Sequence, residues 1–123
     1  MILTLDGHDI TQLSLGLVND DRTEFVPPQI IPCVPEGYLG IIDGFLQAHE
    51  LGLSRVTGIV VSSTDGSATA LRVSHAIANA WGFARGIPLY RSLEASPLAI
   101  LLPEYRETAH VTARKKDALY RKT

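Results

Sequence analysis

Apolar and polar positions alternate over two short runs at the start of the chain. Residues 2–6 (ILTLD) and 12–18 (QLSLGLV) are β-prone and are separated by the turn-forming segment GHDIT, which predicts a hairpin. A third strand is expected within residues 22–31. Because Pro27 and Pro28 would interrupt a hydrogen-bonded ladder, this strand is expected at a sheet edge or a bulge.

The period of the pattern changes after Pro35, a residue type that favours the first turn of a helix. The residues that follow at helical spacing are Leu39, Ile42, Phe45, Leu46 and His49. They predict an amphipathic helix that ends near Gly52.

The run VTGIVVSS, residues 56–63, is almost continuously apolar and is typical of a central strand covered on both faces. A second helix is expected from Ser67 to Arg85, because Gly86 and then Pro88 form the usual end of a helix. Three further strands are predicted, at residues 87–92, at residues 98–102 and within residues 108–121.

This order, β-β-β-α-β-α-β, predicts an α/β protein with a mixed sheet, as in the ribonuclease H-like fold and each lobe of the actin-like ATPases. With 123 residues, 46% of them hydrophobic, we expect one domain over residues 1–123. No apolar run is long enough for a membrane span and no signal peptide is indicated, so a cytoplasmic protein without membrane contact is expected.

Charge is unevenly distributed along the chain. Residues 106–123 carry six basic and two acidic groups, which gives a local charge of +4 and leaves −6 for residues 1–105. A basic tail could attract a polyanion such as RNA, or could simply be a solvated end. Cys33, the single cysteine, is expected to be an apolar filler.

The polar stretch SSTDGSATALR, residues 62–72, is open to three interpretations. In the first, it supplies a carboxylate to a Mg²⁺-dependent nuclease, whose metal ions need several clustered acids. That site would use Asp6, Asp65 and either Glu36 or Asp43. The second interpretation is phosphate binding, with backbone N–H groups from the turns DGHD (6–9) and TDGS (64–67).

The third interpretation is structural. Asp6, Asp65, Ser67 and Thr69 are residue types that close turns and cap helices, and Gly7 and Gly66 suit the turns themselves. In the helix that follows, large apolar residues occupy more than one face, which indicates a second contact surface for another helix or another chain. The alternative is that both helices cover one face of the sheet, with Trp81 in the core.

The segment SSTDGSATALRVSHAIANAWGFARGIPL resembles the signature of the TsaB (YeaZ) family, Gly-Pro-Gly-Ser-Phe-Thr-Gly-Leu-Arg followed by an alanine-rich helix and Gly-Ile-Pro-Leu. The opening ILTLD, the segment SLEA (92–95) and the late segment TARKKDALY are also similar to the family, in the same order. Thr64, Asp65, Ala68 and Ala70 depart from it, and the resemblance covers the first of the family's two lobes.

This resemblance implies a role without catalysis, metal or cofactor. Proteins of the TsaB family support TsaD in making the threonylcarbamoyladenosine modification of tRNA, and they dimerise through two helices. The equivalent helices here would be residues 35–51 and 67–86, giving a homodimer or a heterodimer with a TsaD-like protein. By the same resemblance, the interface would include Leu39, Ile42, Phe45, Ser74, Ala78 and Trp81.

Overall fold

The computed structural model describes residues 1–62 and 67–102, and of His8 only the backbone. Five strands and two α-helices follow one another in this part of the chain, with 3₁₀ turns at Pro35–Gly37 and Leu53–Arg55. The elements are β1 (Ile2–Asp9), β2 (Gln12–Val18), β3 (Glu24–Pro32), α1 (Tyr38–Ala48), β4 (Gly58–Val61), α2 (Ala68–Arg85) and β5 (Leu89–Tyr90).

The strands form a mixed sheet in the order β3-β2-β1-β4-β5. The first three strands make an antiparallel meander, while β4 and β5 run parallel to β1 and to each other. The parallel strands require crossovers, and α1 and α2 provide them. The prediction of an α/β protein with a mixed sheet is therefore confirmed.

Both helices cover the same face of this sheet. Residues that lie directly opposite one another on β1, β2 and β4 point to that face: Leu3 with Leu17 and Ile59, and Leu5 with Leu15 and Val61. These side chains form one buried core with Ile42 and Leu46 of α1 and Ala78 of α2. The alternation of side chains along a strand sends the intervening residues to the other face.

That other face, which we call the open face, carries a smaller apolar cluster of Ile2, Val18 and Val60, with Tyr90 and Leu93 packed against it. The all-buried pattern of β4 has this origin, because Ile59 and Val61 lie under the helices while Val60 lies in the second cluster. The prediction that this strand is covered on both faces is confirmed, but it is shorter than residues 56–63, and the middle position of the sheet belongs to β1.

The third strand lies at the sheet edge, as its two prolines indicated. Its pairing with β2 shifts register between Leu15 and Leu17, opposite Val26 to Gln29, which is where Pro27 and Pro28 lie. The strand begins at Glu24 and not at residue 22, because residues 19–23 form the turn from β2. In that turn Arg22 has a φ of 77° and its N–H donates to the Asn19 carbonyl.

The two helices differ in how well their ends were predicted. α2 has Ser67 as N-cap, whose Oγ accepts from the N–H groups of Thr69 and Ala70 at 3.1 and 3.4 Å, and Gly86 closes it at a φ of 66°. The start of α1 is corrected. Pro35 begins a 3₁₀ turn, and the α-helix follows at Tyr38 and ends at Ala48, well before Gly52.

The predicted strand at 87–92 is reduced to Leu89–Tyr90. In the segment 98–102, Leu98 forms an isolated antiparallel bridge with Leu89. Asn79 of α2 then holds Leu101, accepting from its N–H at 2.7 Å and donating to its carbonyl at 2.8 Å. The strand predicted within 108–121 lies outside the described residues. Among those that are described, no helix is long and apolar enough to cross a membrane.

Candidate functional site

An apolar groove of about 670 Å³ separates α1 from α2 on the outer surface of the helical layer. Leu39 and Ile42 line it from α1, and Ile77, Ala80 and Trp81 line it from α2. We call this feature the α1–α2 groove. Leu39 is 65% exposed although it is a large apolar residue, and Trp81 is only half-buried. Exposed apolar surface of this kind is typical of contact sites.

The outer side of α2 continues this apolar surface. Ala76, Ala80 and Ala84 are exposed at intervals of four residues, and Phe83 beside them is 91% exposed. From residue 73 to residue 84 the helix has no Asp, Glu, Lys or Arg. The expectation that large apolar residues of this helix occupy more than one face is confirmed, because Leu71 is buried in the chain while Phe83 projects outward.

Of the six predicted interface residues, the structure leaves Leu39 and Trp81 accessible. Ile42 and Phe45 are buried at 1% and 6% exposure, although Ile42 borders the groove from below. Ser74 and Ala78 are fully buried within the chain.

The placement of Ser74 and Ala78 on a contact surface was therefore wrong. They belong to a row of small residues on α2, which also includes Ala70 and Gly82 at the same four-residue spacing. This row packs against the sheet. At Gly82 the approach is so close that an added Cβ would lie 3.0 Å from Leu89 Cδ2. The Ser74 hydroxyl donates to the Leu71 carbonyl within the helix. Contact of the remaining residues with a partner stays a prediction.

The residues that sequence reasoning missed lie two positions further along the helix. Ala76, Ala80 and Ala84 have the same spacing as the buried set but face outward. On α1, Gly40 and Gly44 are also exposed, and a Cβ added at either would have no neighbour within 4 Å. The four-residue repeat was present in the sequence, but small residues suit both a helix–sheet contact and a helix–helix contact.

The carboxylates of the nuclease hypothesis are not brought together. Asp6, within β1, lines a pocket of about 390 Å³ on the open face together with Ser14 and Ser62. Asp43 lies on α1, at the groove on the helical side, and Glu36 is exposed in the 3₁₀ turn before it. Asp65 lies outside the described residues. Within 1–62 and 67–102, no three metal-binding side chains form a group.

The segment DGHD (6–9), predicted to be a phosphate-binding turn, is instead the last part of β1, and the hairpin turn follows at residues 10–11. The segment is packed against the rest of the chain. A Cβ at Gly7 would lie 2.9 Å from the Ala70 carbonyl oxygen and 3.1 Å from Tyr38 Oη, so the hairpin touches the start of α2. Asp9 closes the turn by accepting from the Thr11 N–H at 2.7 Å and from its hydroxyl at 2.8 Å. Gly7 therefore lies within β1 and not in the turn predicted for it, and its lack of a side chain permits the close approach to α2. Of the second turn, TDGS, only Ser67 lies within the described residues.

Tyr38 connects this turn to α1 and was not singled out from the sequence. Its ring is fully buried and its hydroxyl donates weakly to the Asp9 carbonyl at 3.5 Å. Burial raises the pKa of Tyr38 above its ordinary value, and the negative charges of Cys33 in its thiolate form, Asp6 and Asp9 raise it further. The neutral phenol is thus the form that the folded chain accommodates.

Comparisons with known proteins identify solved structures that are similar to this fold. No protein-family model and no curated protein matches the chain. Among solved structures, it is similar to YeaZ from Pseudomonas aeruginosa, with a TM-score of 0.60 and 20% identity over 72% of this chain and 42% of that one. A second structure, an uncharacterized protein with similarity to peptidase YeaZ from Pseudomonas aeruginosa, gives a TM-score of 0.61 at 18% identity, over 72% and 41%.

These matches show that the chain shares the fold of part of the YeaZ structures. The chain spans about two fifths of the length of those proteins.

Proposed function

We propose that this chain is a TsaB-like first lobe, of the ribonuclease H-like or actin-like ATPase class, that serves as a non-catalytic interaction subunit of cytoplasmic tRNA threonylcarbamoyladenosine modification. It would act by docking through the α1–α2 groove onto a TsaD-like protein or a second copy of itself. The observation that carries the proposal is the groove itself, because its exposed apolar residues lie on the two helices that the family resemblance assigns to the interface.

The fold assignment within this proposal rests on topology. An antiparallel meander of β1, β2 and β3 is followed by two helical crossovers that add β4 and β5 parallel to β1. This is the arrangement expected of a ribonuclease H-like lobe, and the structural likeness to YeaZ supports it.

The chemistry of the groove supports a protein partner over a small polar ligand. Side chains such as Leu39 and Trp81 offer apolar area and few polar groups that could fix a ligand's orientation. Burying apolar surface contributes about 25 cal/mol per Å². An amphipathic helix laid along the groove would cover Leu39, Ile77 and Trp81 together, which is the usual manner of helix-in-groove recognition.

The test is the affinity of the purified chain for the TsaD-like protein of the same organism, measured by light scattering and titration. Leu39→Asp places a charge in the groove and is expected to weaken binding about tenfold or more. Ile30→Asp is the matched control, because Ile30 is 67% exposed on β3, on the opposite side of the sheet. Equal loss with both variants, or no binding by the unmodified chain to itself or to the TsaD-like protein, would contradict the proposal.

A further inference from the structure

The open face of the sheet carries a pocket beside its apolar cluster. Its volume is about 390 Å³, and within residues 1–62 and 67–102 neither α-helix contributes to its lining. Val18 and Val60 belong both to the cluster and to the lining, while Asp6 and Ser14 supply polar groups. We call this feature the open-face pocket. It offers apolar area and hydrogen-bonding groups side by side, and both helices pack on the other face of the sheet.

The described part of the chain ends beside this pocket. Arg91, which lines the pocket, donates through its guanidinium to the Leu102 carbonyl at 3.1 Å. Leu101 is fully buried and is held by its two hydrogen bonds with Asn79. These contacts fix where residues 103–123 begin.

The length of this following segment is sufficient to cover the pocket. It contains 21 residues, from 103 to 123. An extended chain of that length spans up to about 70 Å. A sheet of five strands, with neighbours about 4.8 Å apart, is roughly 20 Å wide. The segment can therefore cross the whole open face.

The charge of the segment is opposite to that of the exposed acids around the pocket. Residues 106–123 carry +4, and the residues before them carry −6. Glu24 on β3 and Glu94 after β5 are exposed and line the pocket from the two edges of the sheet. The two arginines of the lining, Arg22 and Arg91, already contact a tyrosine ring and a backbone carbonyl.

The sequence of the segment also has an apolar component. Ala109, Val111 and Ala113 alternate with His110 and Thr112, and the basic residues follow. In the extended conformation predicted for this part of the chain, the three apolar residues share one side and the polar residues share the other. A segment with one apolar side and a basic end matches a face that has an apolar cluster and acidic edges.

From these observations we infer that residues 103–123 cover the open face of their own chain, with Val111 toward the apolar part of the open-face pocket and the basic groups toward Glu24 and Glu94. This inference does not depend on the proposed function, because the open face and the α1–α2 groove lie on opposite sides of the sheet. It assigns the basic segment to a contact within the chain and not to a polyanion such as RNA.

A spin label on the open face tests the inference in the full chain. Ile30→Cys, in a Cys33→Ser background, places the label at an exposed position whose partner Ser14 lines the pocket. The unpaired electron broadens the NMR signals of nearby amides, so the signals of residues 103–123 are expected to lose most of their intensity. Ala48→Cys in the same background is the matched control, because Ala48 is exposed at the end of α1, and its label should leave these signals nearly unchanged.

A mixture distinguishes contact within one chain from contact between chains. An isotope-labelled chain without the spin label is mixed with a spin-labelled chain without the isotope, and no broadening is expected. Broadening in the mixture would identify a second copy as the occupant and would overturn the inference. Equal broadening by the labels at residues 30 and 48, or none by the label at residue 30, would also overturn it, leaving the open face to another molecule.

Substitutions in the chain labelled at residue 30 test the proposed contacts. Val111→Asp should restore most of the lost intensity, whereas Thr112→Asp, which adds the same charge on the other side of the alternating pattern, should restore less. Equal effects of the two variants would contradict the orientation assigned to Val111.

The acidic edges are tested in the same way. Glu24→Gln combined with Glu94→Gln should restore part of the intensity, because pairs between exposed charges are weak but add to the apolar contact. Glu36→Gln combined with Glu50→Gln removes two exposed acids near the ends of α1 and should restore none. Equal effects of the two pairs would contradict the contact with Glu24 and Glu94. Unchanged amide shifts over residues 1–62 verify that each variant keeps the fold.

Discussion

The guanidinium carbon of Arg22 lies 5.0 Å from the centroid of the Tyr90 ring, so the turn between β2 and β3 reaches across the open face to β5. Arg22 has a φ of 77° in this position. This is a left-handed backbone conformation, which residues other than glycine adopt at a cost in free energy. A favourable contact and an unfavourable backbone conformation therefore occur at the same residue.

Substitution of Arg22 should separate these two effects. Arg22→Ala removes the contact with Tyr90 and keeps the strained backbone, and should reduce the free energy of unfolding by about 0.5–1 kcal/mol. Arg22→Gly also removes the contact but relieves the backbone, and should be closer to the unmodified chain. Chemical denaturation of the three proteins measures the difference. A glycine variant less stable than the alanine variant would contradict this account.

The N-cap of α2 offers a second stability test. Ser67→Ala removes the acceptor for the Thr69 and Ala70 N–H groups and should cost about 1 kcal/mol. Ser67→Asp supplies another acceptor and should retain most of the stability. Ser96→Ala, at an exposed serine beyond the helices, is the control and should change the denaturation midpoint little. Equal effects at residues 67 and 96 would show that the cap contributes nothing.

Tyr38 should make the fold sensitive to alkaline pH. Its pKa is raised in the folded chain above the ordinary value of a tyrosine, chiefly by burial. The stability that depends on the neutral phenol is fully present below the unfolded pKa and is lost as the pH rises through the folded pKa. Tyr38→Phe keeps the buried ring and has no proton to lose.

The free energy of unfolding of the Tyr38→Phe variant should therefore resemble that of the unmodified chain at pH 7 and exceed it above pH 10. Denaturation series at several pH values provide the measurement. Parallel pH profiles for the two proteins would refute the role assigned to Tyr38.

Gly44 should show opposite effects on folding and on association. Gly44→Ala is expected to raise the stability of the monomer by up to about 1 kcal/mol, because the added methyl has open space and favours the helix. The same methyl would hold a second chain away from α1 and should weaken self-association. Thermal unfolding at low concentration and sedimentation at high concentration report the two effects. A variant that gains stability and associates unchanged would mean that Gly44 lies outside the contact.

Local signals in the sequence predicted the sheet and the second helix well. Alternation over ILTLD and QLSLGLV, the apolar run before Ser62, and the pair of Ser67 and Gly86 each specify a structure through nearby residues. The start of α1 was missed because Pro35 suits the first turn of either a 3₁₀ or an α-helix. The distinction depends on packing around Tyr38, which lies far along the chain from its partner Asp9.

The candidate site was predicted only in part for a related reason. Leu39 and Trp81, which line the groove, were identified from the sequence. Ser74 and Ala78 were also assigned to the contact surface, but the structure buries them and exposes other alanines of the same helix. The small residues of α2 occupy two sides of the helix, and both sides have the spacing that allows close contact. Which side meets the sheet is decided by neighbours such as Leu89 beside Gly82, and these are known only from the fold.

The central claim is that this chain associates through the α1–α2 groove. Hydroxyl-radical footprinting tests it most directly, because oxidation by the radical reports the exposure of individual side chains. We expect oxidation of Leu39 and Trp81 to fall when the chain is concentrated or mixed with the TsaD-like protein, while oxidation of Ile30 on β3 stays constant. Protection of Ile30 with unchanged oxidation of Leu39 and Trp81 would contradict the account.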